Sequence, residues 1–339
     1  MSDAGSGRSV REMVIGGWIS QVVRAIAVLG IADHLAAGPR SATDLADLLG
    51  AAPSTVERLM RAAVGLGLFA RGQDGTFHCT PIGESLRSDA EDSARSFALM
   101  AEAPYQRRAW EGLAESVRTG QPVFQDAHGV TFWEFLAQHP DDQVDFDAAM
   151  AAGTAQRAAA VLEVCDFAGV HTVVDVGGGN GAMLAAVLAE HPDVRGVVFD
   201  RPEALARAPQ VLQQAGVLDR CDTVAGDFLT SVPPDADVYI LAQILHDWPD
   251  QMAAGILAAC RSAMRPGARL WVIERLMPAG GEPPLFYSLL DLSMLVHFGS
   301  GERSAEQFGS LLGAAGFTDI SALPSTSGWT VIEAVADRR

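Results

Sequence analysis

The sequence predicts an α/β chain, with a mostly helical, winged-helix-like N-terminal part and a parallel sheet covered by helices on both faces. Three observations predict it. Thr172-Val173-Val174-Asp175-Val176 runs into Gly177-Gly178-Gly179-Asn180-Gly181 and then an Ala/Leu-periodic segment, which reads as strand, tight turn, helix. From residue 170 onward strand-like and helix-like segments alternate, the pattern of a parallel sheet. Before that, helix, short helix, helix and hairpin follow one another. At 339 residues the chain has room for two domains and a sizeable core.

The elements follow in order. Residues 9–36, rich in Val, Ile and Ala, read as one amphipathic helix. Ser41 caps a helix whose face is Leu45, Leu48 and Leu49 and which Gly50 stops. Ser54-Thr55-Val56-Glu57 reads as a capping box opening a helix through Leu59, Met60 and Val64. Leu68–Arg71 and Thr76–Cys79 flank Asp74-Gly75, a hairpin signal. Such a module either binds DNA or serves packing and dimerisation. Arg58 and Arg61 beside Glu57 are too few donors for a recognition helix. Residues 92–165 are helical and carry Phe97, Tyr105, Trp110, Phe124, Phe132, Trp133, Phe135 and Phe146, most of them core material and some suited to an apolar pocket.

Strands are expected at 172–176, 195–199, 222–225, 237–241, 269–273, 317–321 and 329–335. Helices are expected near 181–190, 202–215, 249–264, 284–297 and 304–315. Ligands of such sheets sit at the carboxyl ends of the strands. Asp175, Asp200, Asp227, Gln243 with His246, and Glu274 all fall there, a set that packing alone does not explain. The expected division is 9–100 for the winged-helix-like domain, 101–165 for a helical connector with pocket residues, and 166–339 for the sheet domain.

Composition narrows the function. Net charge is −18, with 42 acids against 24 bases, every base an arginine, which disfavours general nucleic-acid binding. Cys79, Cys165, Cys221 and Cys260 are scattered and form no C-x-x-C pair, and Met1–Arg11 lacks a signal pattern, so a cytoplasmic location is expected. The apolar stretch Trp18–Leu35 is broken by Gln21, Arg24 and Asp33 and is no membrane span.

The glycine cluster alone leaves alternatives open, since Gly177-x-Gly179-x-x-Ala182 with Asp200 also fits a dinucleotide fingerprint. Four motifs in order carry more: Asp175–Gly181, Phe199-Asp200-Arg201-Pro202, Gly226-Asp227-Phe228 and Leu245-His246-Asp247-Trp248. Together they resemble a class I S-adenosylmethionine (SAM)-dependent methyltransferase, and more narrowly the small-molecule O-methyltransferases of the caffeic-acid type and of bacterial natural-product biosynthesis. Glu302-Arg303-Ser304, Asp291–Leu295 and Phe146–Met150 fit the same family, over roughly residues 10–337. The resemblance implies a Rossmann-like, seven-stranded SAM domain behind an N-terminal dimerisation domain, and a homodimer without nucleic-acid or membrane partners.

It also implies residue roles. SAM, leaving as S-adenosylhomocysteine, would be held by Asp175, Gly177, Gly179, Asp200 with Arg201, Gly226, Asp227, Phe228, Gln243 and Trp248. His246 would be the general base, with Glu274 and Glu302 orienting it, and no metal is called for. Met150, Met294, His297, Asp247, Tyr105 and Trp110 would touch a small aromatic hydroxylated substrate. His246 and Glu302 also admit local helix-end roles, and His297 with His246, Asp247 and Glu302 has no fixed metal-ligand spacing. Plant relatives often carry a lysine where this chain has Ala242, which puts one SAM-side contact in doubt. Open beside O-methylation are C- or N-methylation, a non-methylating reaction on the same fold, a ligand-binding winged-helix regulator and a nicotinamide oxidoreductase.

Overall fold

Hydrophobic period decides both halves of the chain. The structure, a computed structural model, describes residues 9–90 and 93–337. It divides into two compact units, one made of the described residues through Arg107 with Val144–Ala152, the other of Arg108–Gln143 and the chain from Gly153 onward.

In the first unit the helix Val10–Val28 is opened by a capping box between Ser9 and Glu12. The single helix expected over 9–36 is broken, because Gly30 takes φ 60° and starts a separate helix, Ile31–Leu35. Ser41 caps Ala42–Leu49 and Gly50 ends it in the left-handed region, as the sequence suggests. The expected capping box at Ser54–Glu57 does not form. The helix starts at Pro53, whose fixed φ suits the first helical position, with no side-chain cap, and Glu57 turns to Arg71 at 2.8 Å. Strands β1 (Phe69–Arg71) and β2 (Phe77–Cys79) form the hairpin, and Arg40 bridges onto Phe77. Ile26, Ile31, Leu45, Met60, Phe69 and Phe77 make the core. Val10, Met13, Val14 and Trp18 stay 62–75% exposed, leaving an apolar stripe on the first helix.

The second unit holds a seven-stranded sheet built from β3 (Thr172–Val176), β4 (Arg195–Asp200), β5 (Cys221–Ala225), β6 (Val238–Ala242), β7 (Arg269–Glu274), β8 (Phe317–Pro324) and β9 (Thr330–Ala336). Its order is β5-β4-β3-β6-β7-β9-β8. The first five are parallel, but β9 runs antiparallel to β7 and β8 antiparallel to β9. The fully parallel sheet expected is therefore corrected to a mixed one, because the closing strands follow one another without a crossover helix between them. Alternate residues serve opposite faces: Val238, Ile240, Trp271 and Ile273 face one core, Tyr239, Leu241, Leu270 and Val272 the other. Chain order reverses between β3 and β6, the switch point at which such sheets open a crevice. Among the described residues no helix is long and apolar enough to cross a membrane.

Among the described glycines of the first unit, Gly83 leaves the least room for a side chain. A Cβ built there would lie 1.9 Å from the Leu68 carbonyl oxygen, where only main chain could give way. Gly83→Ala is expected to cost about 1–3 kcal/mol as an overpacked site, read as a lower midpoint in thermal or urea unfolding.

Candidate active site

The glycine loop after β3 shapes one side of the crevice. Gly177, Gly179 and Gly181 have φ of 74°, 56° and 75°, which side-chain-bearing residues avoid. A Cβ on Gly177 would meet Ile244 at 2.4 Å, whereas one on Gly179 would enter open space. The Gly179 and Arg201 amides donate to the two carboxylate oxygens of Asp200 at 2.8 and 2.7 Å. Burial raises the Asp200 pKa and these amide bonds oppose it. Each oxygen retains acceptor capacity, so the carboxylate is preset to receive paired hydroxyl donors. The Gly179 amide, which a dinucleotide would need for phosphate, is already engaged. Gly226 is held against the Phe199 ring, where a Cβ would fall 2.4 Å away. Exposed Asp227 follows it, and Phe228 meets Trp248 edge-on with centroids 5.9 Å apart.

Asp175 lies at the loop's root, 1% exposed, with Oδ2 lacking a hydrogen-bond partner. Burial first, then the charge of Asp200, pushes it up to about 7, against the pull of Arg157. Arg157 has no role in the sequence reading, because an arginine in an alanine-rich helix carries no signal there. It is buried, donates to Gln243 Oε1 at 2.7 Å and Thr154 Oγ1 at 2.9 Å, and lies 5.4 Å from the centre of the Trp329 ring. Burial lowers its pKa to about 10 while Asp175 and Glu274 counteract. Gln243, at φ 53°, thus turns its side chain to Arg157, a cation supplied near the strand end that Ala242 leaves uncharged. Arg201 stacks its guanidinium 5.4 Å from the Trp133 ring centre, and it favours the Asp200 carboxylate first through its backbone amide and then through its charge.

On the other side of the switch point, the 3₁₀ turn Leu245–Asp247 presents His246, 6% exposed. Its Nδ1 lies 2.8 Å from Glu302 Oε1 and its Nε2 3.4 Å from Asp247 Oδ1. Glu274, at the end of β7, is fully buried and neither carboxylate oxygen has a hydrogen-bond partner. Burial alone would lower the His246 pKa, but Glu274, Asp247 and Glu302 overcome it and hold the imidazole above its ordinary value. Burial in turn raises Glu274 and Asp247, with His246 opposing. These groups titrate as one coupled set. Candidate ligand atoms of His246, Glu274 and Glu302 lie within 4.8 Å of one another, but Nδ1 is committed to Glu302.

Three residues outside the predicted machinery hold this arrangement. Ser300 Oγ donates to the His246 carbonyl at 2.6 Å, and Asp291 Oδ1 accepts from the Glu302 amide at 2.8 Å. Buried Arg303 donates to the carbonyls of Leu245 at 2.6 Å and Trp248 at 2.7 Å and to Asp250 at 2.8 Å. The local cap that Glu302 might have made is supplied instead by Ser304 with Gln307.

Of the expected substrate residues, Met294 and His297 are buried on the helix Leu285–Phe298, Asp247 adjoins His246, and Trp110 is half-buried in the same unit. Tyr105 and Met150 belong to the first unit. His297 Nδ1 sits 2.7 Å from the Ser293 carbonyl, and its ring packs among Phe124, Phe132 and Phe298. Burial pushes it down to about 4, with His128 adding to the effect and the Ser293 bond resisting.

Comparison with known proteins gives the family. Residues 110–318 match the O-methyltransferase domain and residues 12–89 the O-methyltransferase dimerisation domain. The chain belongs to the SAM-dependent O-methyltransferase family. It is 41% identical to the phenazine O-methyltransferase PhzM of Lysobacter antibioticus, over 95% of this chain and 94% of that one. Its fold is similar to that of NcsB1, an O-methyltransferase from neocarzinostatin biosynthesis solved with SAM and 2-hydroxy-5-methyl naphthoic acid, at TM-score 0.84 and 34% identity over 98% of this chain and all (100%) of that one. It is also 34% identical to the aclacinomycin 10-hydroxylase RdmB of Streptomyces purpurascens, over 91% of this chain and 83% of that one.

Arg303 makes a direct test of the turn that carries His246. A lysine keeps the charge but not the fork that reaches three acceptors. Arg303→Lys is expected to lose on the order of 1–3 kcal/mol in urea unfolding, from buried carbonyls left short of donors, and turnover is expected to fall with it.

Proposed function

We propose that the chain transfers the methyl group of SAM to a phenolic hydroxyl of a small aromatic natural product, with His246 as general base. The observation that carries this reading is the His246 imidazole, backed by Glu302 at Nδ1 and ringed by Glu274 and Asp247, at the rim that also bears Asp200. The rim fits SAM: Asp200 has acceptor capacity for the ribose hydroxyls, Gly179 leaves open space, and Asp175 has an unmet buried oxygen. Asp175, Asp200, Asp227, Gly177, Gly179, Gly226, Phe228, Gln243 and Trp248 would hold it, with the Arg201 amide. When bound, SAM supplies an electrophilic methyl group on a positively charged sulfur.

The chain's own work is proton handling and orientation. A phenol near pKa 10 facing an imidazole near 6.5 leaves a gap of about 3.5 units, about 5 kcal/mol for full transfer. The carboxylates around His246 narrow that gap by stabilising the imidazolium. Glu302 accepts the Nδ1 proton and so leaves Nε2 to take the substrate's. Met294, His297, Asp247 and Trp110 would line the substrate. Residues 9–100 would pair two copies of the chain, using the apolar stripe of the first helix, 101–165 would contribute pocket side chains, and 166–339 would hold SAM.

His246→Ala should retain SAM affinity in calorimetry and lose about 10²–10⁴ in turnover on an ordinary phenol. Near-normal turnover would remove His246 as base. The base works only when neutral, and Glu302 raises its proton affinity. Glu302→Gln should therefore move the acid limb of the pH–rate profile to lower pH and reduce the plateau. Light scattering at micromolar concentration should give the mass of a dimer; a monomer would remove the assembly reading.

A further inference from the structure

We infer that the acceptor substrate carries, besides the hydroxyl that is methylated, a second hydrogen-bond donor, an N–H or O–H, and that His297 Nε2 accepts from it. This rests on the reading of the site given above and names the substrate class it serves. His297 is then a specificity-determining residue.

The tautomer follows from geometry. His297 Nδ1 lies 2.7 Å from the Ser293 carbonyl oxygen, which can only accept, so the ring proton is on Nδ1. Nε2 then offers a lone pair and nothing else. That atom is buried in a residue 6% exposed and has no hydrogen-bond partner. Burial holds the ring neutral, well below the pH at which an enzyme works, so His297 acts as an acceptor and not as a cation. Buried polar atoms are satisfied in the great majority of cases, and an exception marks an absent partner. Packing does not require this residue, since its neighbours Phe124, Phe132 and Phe298 would suit an apolar side chain equally well.

Position ties the atom to the reaction. The helix Leu285–Phe298 packs on the turn that carries His246. Ser300, just beyond His297 in sequence, is bonded to the His246 carbonyl. One segment thus holds both the turn that presents the base and a buried acceptor. Aromatic side chains favour a planar ring beside that acceptor. The substrate class indicated is a planar arene with the reacting hydroxyl and a further amino, amide or hydroxyl donor. An analogue lacking that donor would leave Nε2 unmet and be discriminated against.

The test uses the full chain saturated with S-adenosylhomocysteine and calorimetric titration of 2-naphthol against isomeric dihydroxynaphthalenes and aminonaphthols. At least one donor-bearing isomer should bind about tenfold or more tighter than 2-naphthol, the equivalent of one hydrogen bond to a well-placed acceptor. His297→Leu should erase that isomer's advantage, read as the ratio of its affinity to that of 2-naphthol on the same variant. His297→Gln, which keeps an accepting oxygen, should restore part of the preference. S-adenosylhomocysteine affinity equal to wild type certifies that each variant is folded. If the wild-type protein prefers no donor-bearing isomer, or His297→Leu weakens every probe alike, the inference is overturned. Methyl transfer from SAM to the same probes is scored separately. A His297-dependent preference without transfer would fail the O-methylation reading alone, and transfer without the preference would fail the inference alone.

Discussion

The grip of Arg303 on the turn after β6 is the interaction on which the site depends. One buried guanidinium holds the carbonyls of Leu245 and Trp248, on either side of His246, and anchors to Asp250. Besides Arg303, the Leu245 carbonyl accepts the Trp248 amide, at 3.3 Å. Without the clamp, the turn would have no reason to present His246 toward Glu302 rather than toward solvent. Because Arg303 follows Glu302 in sequence, the same short segment fixes both the imidazole and the carboxylate that orients it. The bond from Ser300 to the His246 carbonyl closes this arrangement from the other side.

A second constraint is charge. The rim gathers Asp175, Asp200, Asp247, Glu274 and Glu302, several of them buried, with His246 and the Arg157 guanidinium among them. Burial raises Asp175, Asp247 and Glu274, so the arrangement resists carrying all its negative charge at once. Such a site suits a cationic ligand, because a positive group offsets the unfavourable field in which these carboxylates sit. Arg157 is influenced by both Asp175 and Glu274, so it links the loop side of the crevice electrostatically to the carboxylate beside His246. His297 stands apart from this network as a neutral, apolar-packed ring, and selection there works by hydrogen bonding rather than by charge.

Much of the architecture is legible in the residues because it depends on local period and local turn chemistry. Alternating apolar residues in Val238–Ala242 and Arg269–Glu274 mark strands whatever surrounds them, and Ser41 with Gly50 delimits its helix from both ends. Misreadings arise where two local signals compete. Gly30 splits an otherwise continuous apolar helix, and Pro53 takes the helix start that the Ser54–Glu57 pattern suggests. The antiparallel edge of the sheet was not evident, because strand direction is a matter of connection and pairing, not of residue period.

By itself the sequence determined the strand ends, and therefore that Asp175, Asp200, Asp227, His246 and Glu274 share one rim, because topology carries every parallel strand's carboxyl end to the same edge. It also determined the glycine positions, since positive φ leaves few other residues. Tertiary structure alone decided which partners these groups meet. Arg157, Ser300 and Arg303 lie far along the chain from Gln243, His246 and Leu245, and distance in sequence carries no record of a hydrogen bond. The protonation of His297 was likewise decided there, because burial and a single carbonyl, not the residue type, place its proton on one nitrogen and leave the other bare.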